Sequence, residues 1–163
     1  MTIVRHATEN DLPAMLAIYN DIIVNTTAVW DYEEHTLEMR QQWFAAKQEQ
    51  GLPVFVADED GNIMGFCSLG PFRPWVGYQQ TVENSVYVTA DCRGRGIGKL
   101  LLQRLIDAAK DLKKHVIIAA IEAENETSIL LHRKFGFTEV AHFKEVGYKF
   151  GRWLDVKFLE LMI

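Results

Sequence analysis

Residues 81–112, TVENSVYVTADCRGRGIGKLLLQRLIDAAKDL, contain the features that decide the fold. Over residues 81–88, apolar and polar side chains alternate, which is the period of a β-strand. From Ile97 to Leu112, leucines and alanines recur at helical spacing. The stretch therefore predicts a strand, a loop and a helix in direct succession. The junction of loop and helix carries three glycines and three basic residues, namely Arg93, Gly94, Arg95, Gly96, Gly98 and Lys99.

This junction predicts an anion-binding site. The first N–H groups of a helix lack intrahelical partners, and the macrodipole adds partial positive charge there, so backbone atoms can hold a phosphate or pyrophosphate. Two well-known phosphate loops do not fit. A Walker motif needs Ser or Thr after its Gly-Lys pair, but Leu100 follows Lys99. The dinucleotide fingerprint G-x-G-x-x-G does not match glycines at alternate positions.

Arg93-Gly94-Arg95-Gly96-Ile97-Gly98 follows a predicted strand that ends in Val86-Tyr87-Val88, and this order resembles the R/Q-x-x-G-x-G/A acyl-coenzyme A loop of the GNAT N-acetyltransferases. Downstream, Asn125-Glu126-Thr127-Ser128, Leu131-His132 and Gly136-Phe137 resemble the second motif of that superfamily. Residues 148–156, YKFGRWLDV, are similar to the tail of its phosphinothricin acetyltransferase branch. With Gly70-Pro71-Phe72 and residues 83–88, the resemblance covers nearly the whole chain.

The resemblance implies one N-acetyltransferase domain over residues 1–163, of class α/β (α+β). Its central sheet is expected to be mixed, mostly antiparallel, flanked by helices and splayed around the Thr81–Val88 strand. Acetyl-coenzyme A is the implied cosubstrate, with a backbone N–H near Val88 as oxyanion donor. Asn125 would contact the coenzyme arm or cap its own helix. The implied coenzyme-binding residues are Val86, Tyr87, Val88, Arg93, Gly94, Arg95, Gly96, Ile97, Gly98, Lys99, Asn125, Ser128 and Lys134.

Composition excludes several classes of protein. With 163 residues, 48% of them apolar and 24% charged, the chain has the make-up of an ordinary globular domain. The net charge of −5 argues against a nucleic-acid binder. The apolar run 116–121 is too short to span a bilayer, and charges from Arg5 onward do not fit a signal sequence, so we expect a cytoplasmic protein. Cys67 and Cys92 lack a disulfide or metal motif, which predicts two reduced thiols and no metal.

The rest of the chain predicts elements that surround this central unit. Asp60-Gly61 is a strong hairpin signal between two strands. The strand after the central helix should run parallel to Thr81–Val88, because a helical crossover separates the two. Asn125 can cap the helix that follows. The last two predicted strands are joined around residues 147–152. Three further helices are predicted, one that begins after residues 8–11, one over residues 36–49 and one that follows Asn125. The other predicted strands cover residues 2–6, 54–58, 63–69, 114–121, 137–146 and 153–162.

Acetyl transfer to an amine needs a neutral nitrogen, a stabilised oxyanion and a proton for the thiolate. Glu83 is the candidate base, because a carboxylate is unexpected in this β-prone strand; the alternative is an exposed strand carboxylate without a catalytic role. His132 lies where many relatives carry a tyrosine that protonates the thiolate. It could do the same, orient the acceptor, or satisfy a backbone carbonyl. Tyr87 is expected to pack.

The irregular segment 70–80, GPFRPWVGYQQ, is the candidate acceptor site. Arg73 could clamp a substrate carboxylate through two hydrogen bonds, or could be a solvated loop charge. Trp30 and Tyr32 could form the opposite wall or pack beneath a surface loop. The branch resemblance implies an amino-acid acceptor such as phosphinothricin, methionine sulfoximine or methionine sulfone. The expected acceptor residues are Phe72, Arg73, Trp75, Tyr78, Glu83 and Asn84.

We therefore expect a transferase that moves acetyl from acetyl-coenzyme A to the α-amino group of a small amino-acid-like acceptor by direct attack, with Glu83 as base. Two alternatives stay open. One is a peptide or protein N-terminal acetyltransferase, and the other is a non-catalytic acyl-coenzyme A sensor, against which Glu83 argues. The branch also implies a homodimer, in which Tyr148, Phe150 and Trp153 would be contact surface or core.

Overall fold

A seven-stranded sheet forms the centre of the molecule, and the computed structural model describes all of residues 1–163. The strands are β1 (Ile3–His6), β2 (Val54–Glu59), β3 (Asn62–Pro71), β4 (Thr81–Val88), β5 (Val116–Glu122), β6 (Thr138–Lys149) and β7 (Arg152–Met162). The helices are α1 (Leu12–Asn25), α2 (Leu37–Glu49), α3 (Ile97–Asp111) and α4 (Glu126–Lys134). The strand order is β1-β2-β3-β4-β5-β7-β6, and only β4 and β5 are parallel neighbours. The sheet is therefore mixed and mostly antiparallel, as predicted.

The parallel pair β4–β5 opens after a short paired segment. Register pairs run only from Thr81↔Val116 to Glu83↔Ile118. Both strands continue beyond this point, β4 to Val88 and β5 to Glu122, without pairing to each other. The predicted splay is thus present, and Glu83 lies at the fork. Each strand leaves a row of backbone groups facing the gap, and such unpaired edges can bind an extended ligand.

The two faces of the sheet carry separate cores. On one face, α3 buries Leu101, Leu102 and Leu105 completely, as the helical spacing predicts. On the other face, α1 and α2 pack over the side that carries Phe66. Val82 belongs to the α3 core, whereas the Tyr87 ring contacts Phe66. Because side chains alternate along a strand, Glu83, Ser85 and Tyr87 point to the face of α1 and α2.

Local signals place most of the boundaries. The Thr36 side chain caps α2 by accepting a hydrogen bond from the Met39 N–H at 3.2 Å. Asn125 caps α4 in the same way, accepting from the Ser128 N–H at 3.2 Å. The β2–β3 hairpin turns at Asp60 and Gly61, which both have positive φ. Cys67 and Cys92 are free thiols, as predicted.

The prediction for the β6–β7 hairpin was wrong at its tip. The sequence predicted a connection over 147–152, but β6 continues through Lys149 and the turn is only Phe150-Gly151. The register of β6 against β7 shifts between Phe143 and Gly147. Pairing then resumes at Gly147 and continues to Lys149, beyond the point where the predicted strand ended. The Lys149 Nζ then donates to the carbonyls of Ile23 and Val29, at 2.5 and 2.6 Å, which ties the hairpin to the last turn of α1 and to the segment after it.

None of the four helices is long and apolar enough to cross a membrane.

Candidate active site

The gap between β4 and β5 is a cavity of about 230 Å³, referred to below as the cleft. Two diverging strand segments form its sides, α4 forms one end, and the segment after α1 closes another part of the wall. A second cavity, of about 360 Å³, lies between the end of α2, the start of β2 and α3. The lining residues of the cleft are Ala28, Val29, Glu83, Asn84, Ser85, Val86, Tyr87, Ala119, Ala120, Ile121, Glu122, Asn125, Ser128 and His132.

The glycine loop leaves its amides free at the start of α3. Gly96 is the N-cap with φ of 82°, a left-handed conformation that favours glycine, and no side chain caps the helix. The amides of Ile97, Gly98 and Lys99 make no hydrogen bond to other backbone groups. Orphan N–H groups at a helix N-terminus suit a pyrophosphate, so the loop fits the phosphate end of coenzyme A.

Basic residues of this loop are mostly solvent-exposed. Arg93 and Lys99 are exposed, whereas Arg95 forms an ion pair with Glu59 at 2.8 Å. Gly98 lies close to α4, since a Cβ built there would be 3.3 Å from Leu131. Ile97 is buried and anchors the first turn of α3 in the core. The backbone is thus fixed more firmly than the charged side chains around it.

Residues of α4 complete one end of the cleft. Asn125 and Ser128 line it, and the Asn125 side chain is also the cap of α4, as predicted for one of its two possible roles. Lys134 does not line the cleft and is exposed in the last turn of α4. Val86 and Tyr87 face the gap, whereas Val88 is not among its lining residues.

His132 is buried with both ring nitrogens engaged. Its Nδ1 lies 2.7 Å from the Ser128 carbonyl oxygen, and its Nε2 lies 2.9 Å from the Asn84 Nδ2. Burial lowers the pKa of His132, which favours the neutral ring. Assigning the proton to Nδ1 lets the ring donate to Ser128 and accept from Asn84. Of the three predicted possibilities, this geometry corresponds to the satisfied backbone carbonyl.

Asn84 points towards α4 and away from the face that carries Glu83. Its Nδ2 is used by His132, but its Oδ1 is buried without any hydrogen-bond partner. An orphaned amide oxygen is unfavourable unless a ligand or water supplies a donor. Because Asn84 lines the cleft, this oxygen can accept from an amide N–H of a pantetheine arm. Asn84 was predicted as an acceptor residue, and the structure shows it lining the cleft on the side of α4.

Glu83 is half-buried on the face of α1 and α2, so it is not the exposed strand carboxylate of the alternative interpretation. Burial raises its pKa, while the charges of Arg73 and Lys47 lower it without a hydrogen bond. Tyr87, two residues further along the same face, packs against Phe66 with ring centroids 5.1 Å apart. Burial raises the pKa of Tyr87 to about 12, and the tyrosine packs as expected.

Two of the aromatic residues around Arg73 are exposed. The Arg73 guanidinium lies 5.0 Å from the centroid of Phe72, whose ring meets Tyr78 edge-on at 5.7 Å. Trp75 is 68% exposed and Tyr78 is 43% exposed. Within a single chain, Arg73 and these two rings are therefore open to solvent.

Trp30 and Tyr32 contact the β6–β7 hairpin and do not line the cleft. The Trp30 ring covers Gly147, where any side chain would collide with it, and its Nε1 donates to the Thr27 carbonyl at 2.9 Å. The Tyr32 hydroxyl donates to the Tyr148 carbonyl. Trp30 therefore packs against the hairpin, whereas Tyr32 contacts it only at its hydroxyl and is 63% exposed. Ala28 and Val29 form the wall instead.

Lys47 lies near Glu83, which was not predicted. It extends from α2, and its Nζ donates to the Leu69 carbonyl at 2.6 Å, beside Gly70. Burial lowers its pKa to about 8, and the charge of Glu83 opposes this shift. The available signal was helical spacing, since Arg40, Trp43 and Lys47 share one face of α2. No group of three or more His, Cys, Asp or Glu side chains is arranged to hold a metal ion.

A parallel strand pair that opens over the free amides of a helix N-terminus defines an acyl-coenzyme A-binding fold. A family model described as "Acetyltransferase (GNAT) domain" matches residues 4–158. The chain belongs to the GNAT acetyltransferase family, which confirms the predicted fold and the predicted class of enzyme. Members of this family use acetyl-coenzyme A.

Individual relatives cover almost the full length of the chain. An L-methionine sulfoximine/L-methionine sulfone acetyltransferase of Pseudomonas paraeruginosa is 49% identical over 159 residues, which span 97% of this chain and 92% of that protein. A ribosomal-protein-alanine N-acetyltransferase structure from Brucella melitensis is 50% identical with a TM-score of 0.97 and covers 99% of both chains. A phosphinothricin acetyltransferase structure from Sinorhizobium meliloti, in complex with AcCoA, is 32% identical with a TM-score of 0.97 and covers 99% of this chain and 88% of that one.

Proposed function

We propose that this enzyme acetylates the α-amino group of a small amino-acid-like acceptor, of the methionine sulfoximine, methionine sulfone or phosphinothricin type, with Glu83 as general base. The observation that carries the proposal is the position of Glu83. It is the last residue of β4 that pairs with β5, and it is also part of the cleft lining. A half-buried carboxylate at this fork faces both the coenzyme gap and the acceptor side.

The reaction is a direct transfer. The acceptor ammonium gives a proton to Glu83, directly or through a water, and the neutral nitrogen attacks the thioester carbonyl carbon. A C–N bond forms and the C–S bond breaks. The proton that the nitrogen loses on becoming an amide passes through solvent to the departing thiolate, so coenzyme A leaves as the thiol. A raised pKa suits Glu83 to this role, because a base works best when its pKa approaches the operating pH.

The coenzyme is proposed to lie in the gap with its arm along Val86, Tyr87 and Val88. These residues have no β5 partner, so their backbone groups are available to the pantetheine amides. The N–H near Val88 is the proposed oxyanion donor. The amides at the start of α3 would hold the pyrophosphate, and Asn84 would accept from the arm. His132 is then a positioning residue that holds Asn84.

Arg73 is the proposed ligand for an anionic end of the acceptor. It lies near Glu83 and makes no ion pair with it, so its donors remain available for a carboxylate, phosphinate or sulfoximine group. An acceptor with one ammonium and one or two anionic or strongly polar ends would match this arrangement of one carboxylate and nearby cations.

Acceptor identity can be tested by mass spectrometry. Purified enzyme with isotopically labelled acetyl-coenzyme A should acetylate methionine sulfoximine, methionine sulfone or phosphinothricin at the α-nitrogen. Methionine without the sulfone oxygens is the matched control and should react more slowly. Absence of product with every free amino acid tested, despite tight coenzyme binding, would contradict the proposal and favour an acyl-coenzyme A sensor.

A second candidate is acetylation of a peptide or protein N-terminus. The observation in its favour is the similarity to a chain described as a ribosomal-protein-alanine N-acetyltransferase, at 50% identity. The exposed Trp75 and Tyr78 could contact a peptide segment beyond its first residue. Equimolar competition between an alanine-initiated peptide and methionine sulfoximine separates the two, and we expect the free amino acid to be acetylated faster.

A homodimer is proposed from the apolar surface of the β6–β7 hairpin. Exposed aromatic patches of this kind commonly mark interfaces. Light scattering after gel filtration should give twice the mass of one chain, and Trp153→Glu should shift it to the mass of the monomer. The exposed apolar residues on the hairpin are Val140, Phe143, Val146, Tyr148, Phe150, Trp153 and Met162.

A further inference from the structure

Gly70 stands directly opposite Glu83 in the β3–β4 ladder. Side chains of residues directly opposite in an antiparallel pair lie on the same face, with Cβ atoms about 4.5–5.5 Å apart. Glycine therefore leaves an empty place beside Glu83 where a cross-strand partner would normally sit. Gly70 is near the end of β3, and Glu83 is the point on β4 where pairing with β5 stops and the cleft begins.

The Lys47 ammonium occupies that place. A Cβ built on Gly70 would be 3.0 Å from the Lys47 Nζ, which is closer than almost any real contact of a Cβ. The ammonium is held there by its hydrogen bond to the Leu69 carbonyl and by the Trp43 ring, whose centroid is 5.6 Å from Nζ. Lys47 thus reaches from α2 across the strand and supplies the charge that the sheet itself lacks at this position.

From this geometry we infer that Lys47 is a positioning residue of the transfer reaction, which keeps the Glu83 carboxylate ionised and oriented towards the cleft. The inference rests on the proposed role of Glu83 as base. An opposite charge a few ångströms away favours the ionised form of a carboxylate, and half-burial makes this effect stronger than at a free surface.

Few other charged groups share this environment. Arg73 approaches Glu83 from the loop after β3, and Tyr87 faces it from β4 itself. Arg40 of α2 and Tyr19 of α1 act on Tyr87 and not on Glu83. Arg73 belongs to an exposed loop, whereas the Lys47 ammonium is anchored to the strand backbone. Lys47 is therefore the fixed cation of the pair.

The test is the pH profile of kcat/KM with methionine sulfoximine, compared among wild type, Lys47→Met, Lys47→Arg and Lys110→Met. Lys47→Met should move the acid limb of the profile to higher pH by about half a unit or more, because the Glu83 carboxylate loses a neighbouring cation. The loss of kcat/KM relative to wild type should then be about threefold larger at pH 6 than at pH 8.5. Lys47→Arg should restore most of the acid limb. Lys110, exposed in the last turn of α3 on the opposite face, is the control for removal of one charge and should leave the profile unchanged.

The basic side of the profile gives a second criterion. Because burial lowers the pKa of Lys47 to about 8, the wild type also loses this charge above that pH, and the profiles of wild type and Lys47→Met should converge there. Gly70→Ala provides a milder, independent route, since its Cβ would lie 3.0 Å from the Lys47 Nζ and would push the ammonium aside by a few tenths of an ångström without removing it. It should shift the acid limb in the same direction, and it keeps the test available if Lys47→Met folds poorly.

Two results would overturn the inference. An unchanged acid limb in both Lys47→Met and Gly70→Ala would exclude a positioning role. A rise in the acceptor KM that is the same at every pH would make Lys47 a ligand of the acceptor instead. The Glu83→Gln variant separates failure of the Lys47 inference from failure of the proposed function. Full activity in Glu83→Gln would show that the base assignment itself is wrong. A large loss in Glu83→Gln, with no effect of Lys47→Met or Gly70→Ala, would leave the base assignment standing and overturn only the role of Lys47.

Discussion

In the proposed function, the two sides of the cleft recognise their ligands by different means. The coenzyme side is made mainly of backbone groups from one continuous stretch, the end of β4 and the amides that begin α3, with the Asn84 side chain beside them. The acceptor side is made of charged side chains from three separate segments, Lys47 on α2, Arg73 on a loop and Glu83 on β4. Backbone recognition depends on conformation, whereas side-chain recognition depends on charge. Substitutions should therefore affect the two sides independently.

The largest effect should come from a change of backbone conformation at Gly96. This residue has φ of 82° at the N-cap of α3, where a β-branched side chain is strained. Gly96→Val should weaken acetyl-coenzyme A binding by at least about 100-fold, because 1–3 kcal/mol of strain adds to the loss of amide donors. Isothermal calorimetry measures this directly.

Gly61→Val is the matched control for Gly96→Val. It introduces the same strain at φ of 85°, but in the β2–β3 turn and with no atoms within 4 Å of the new Cβ. It should lower stability while leaving the coenzyme affinity unchanged. If Gly96→Val bound the coenzyme as tightly as Gly61→Val, the backbone account of the coenzyme side would be wrong.

A smaller and selective effect is expected on the acceptor side. Arg73→Ala should raise the KM for methionine sulfoximine or phosphinothricin about tenfold, the size of one charge-assisted hydrogen bond, with little change in coenzyme affinity. Arg133→Ala, which removes an exposed arginine from α4, should change neither value. Equal losses in coenzyme and acceptor affinity for Arg73→Ala would show that the two sides are not separable.

The smallest catalytic effect is expected at His132. His132→Phe removes the contacts with Ser128 and Asn84 and leaves buried polar groups unpaired, which should cost about 1–3 kcal/mol in urea unfolding. The kcat should fall by less than about tenfold, because the ring is a positioning group in this account. A loss above 100-fold with unchanged stability would instead assign His132 the role of general acid.

The same contrast explains what the sequence could predict. Strand, loop and helix from Thr81 to Asp111 follow from alternation, glycine spacing and helical period, all of which are local, and the structure has their boundaries as predicted. Lys47 could not be found this way, because its position beside Glu83 depends on how α2 packs across β3. The helical spacing of Arg40, Trp43 and Lys47 shows that they share one face of α2, but it does not show which strand that face packs against.

A misplaced turn and an unpredicted contact have the same origin. The β6–β7 turn was misplaced because a register shift after Phe143 has no signature in the local alternation. Asn84 adjoins Glu83 in sequence, but neighbouring residues of a strand point to opposite faces. Its amide consequently reaches His132 on α4.

The central claim is that Glu83 removes the proton of the acceptor amine, and the ratio of kcat/KM between wild type and Glu83→Gln, measured from pH 6.5 to 9.5, tests it most directly. A model α-amino group titrates near pH 8, so more acceptor is already neutral at high pH and needs no base. We predict a ratio of about 100-fold or more at pH 6.5 that falls steadily towards pH 9.5. A ratio that is the same at every pH, or close to one throughout, would contradict the assignment of Glu83 as the base.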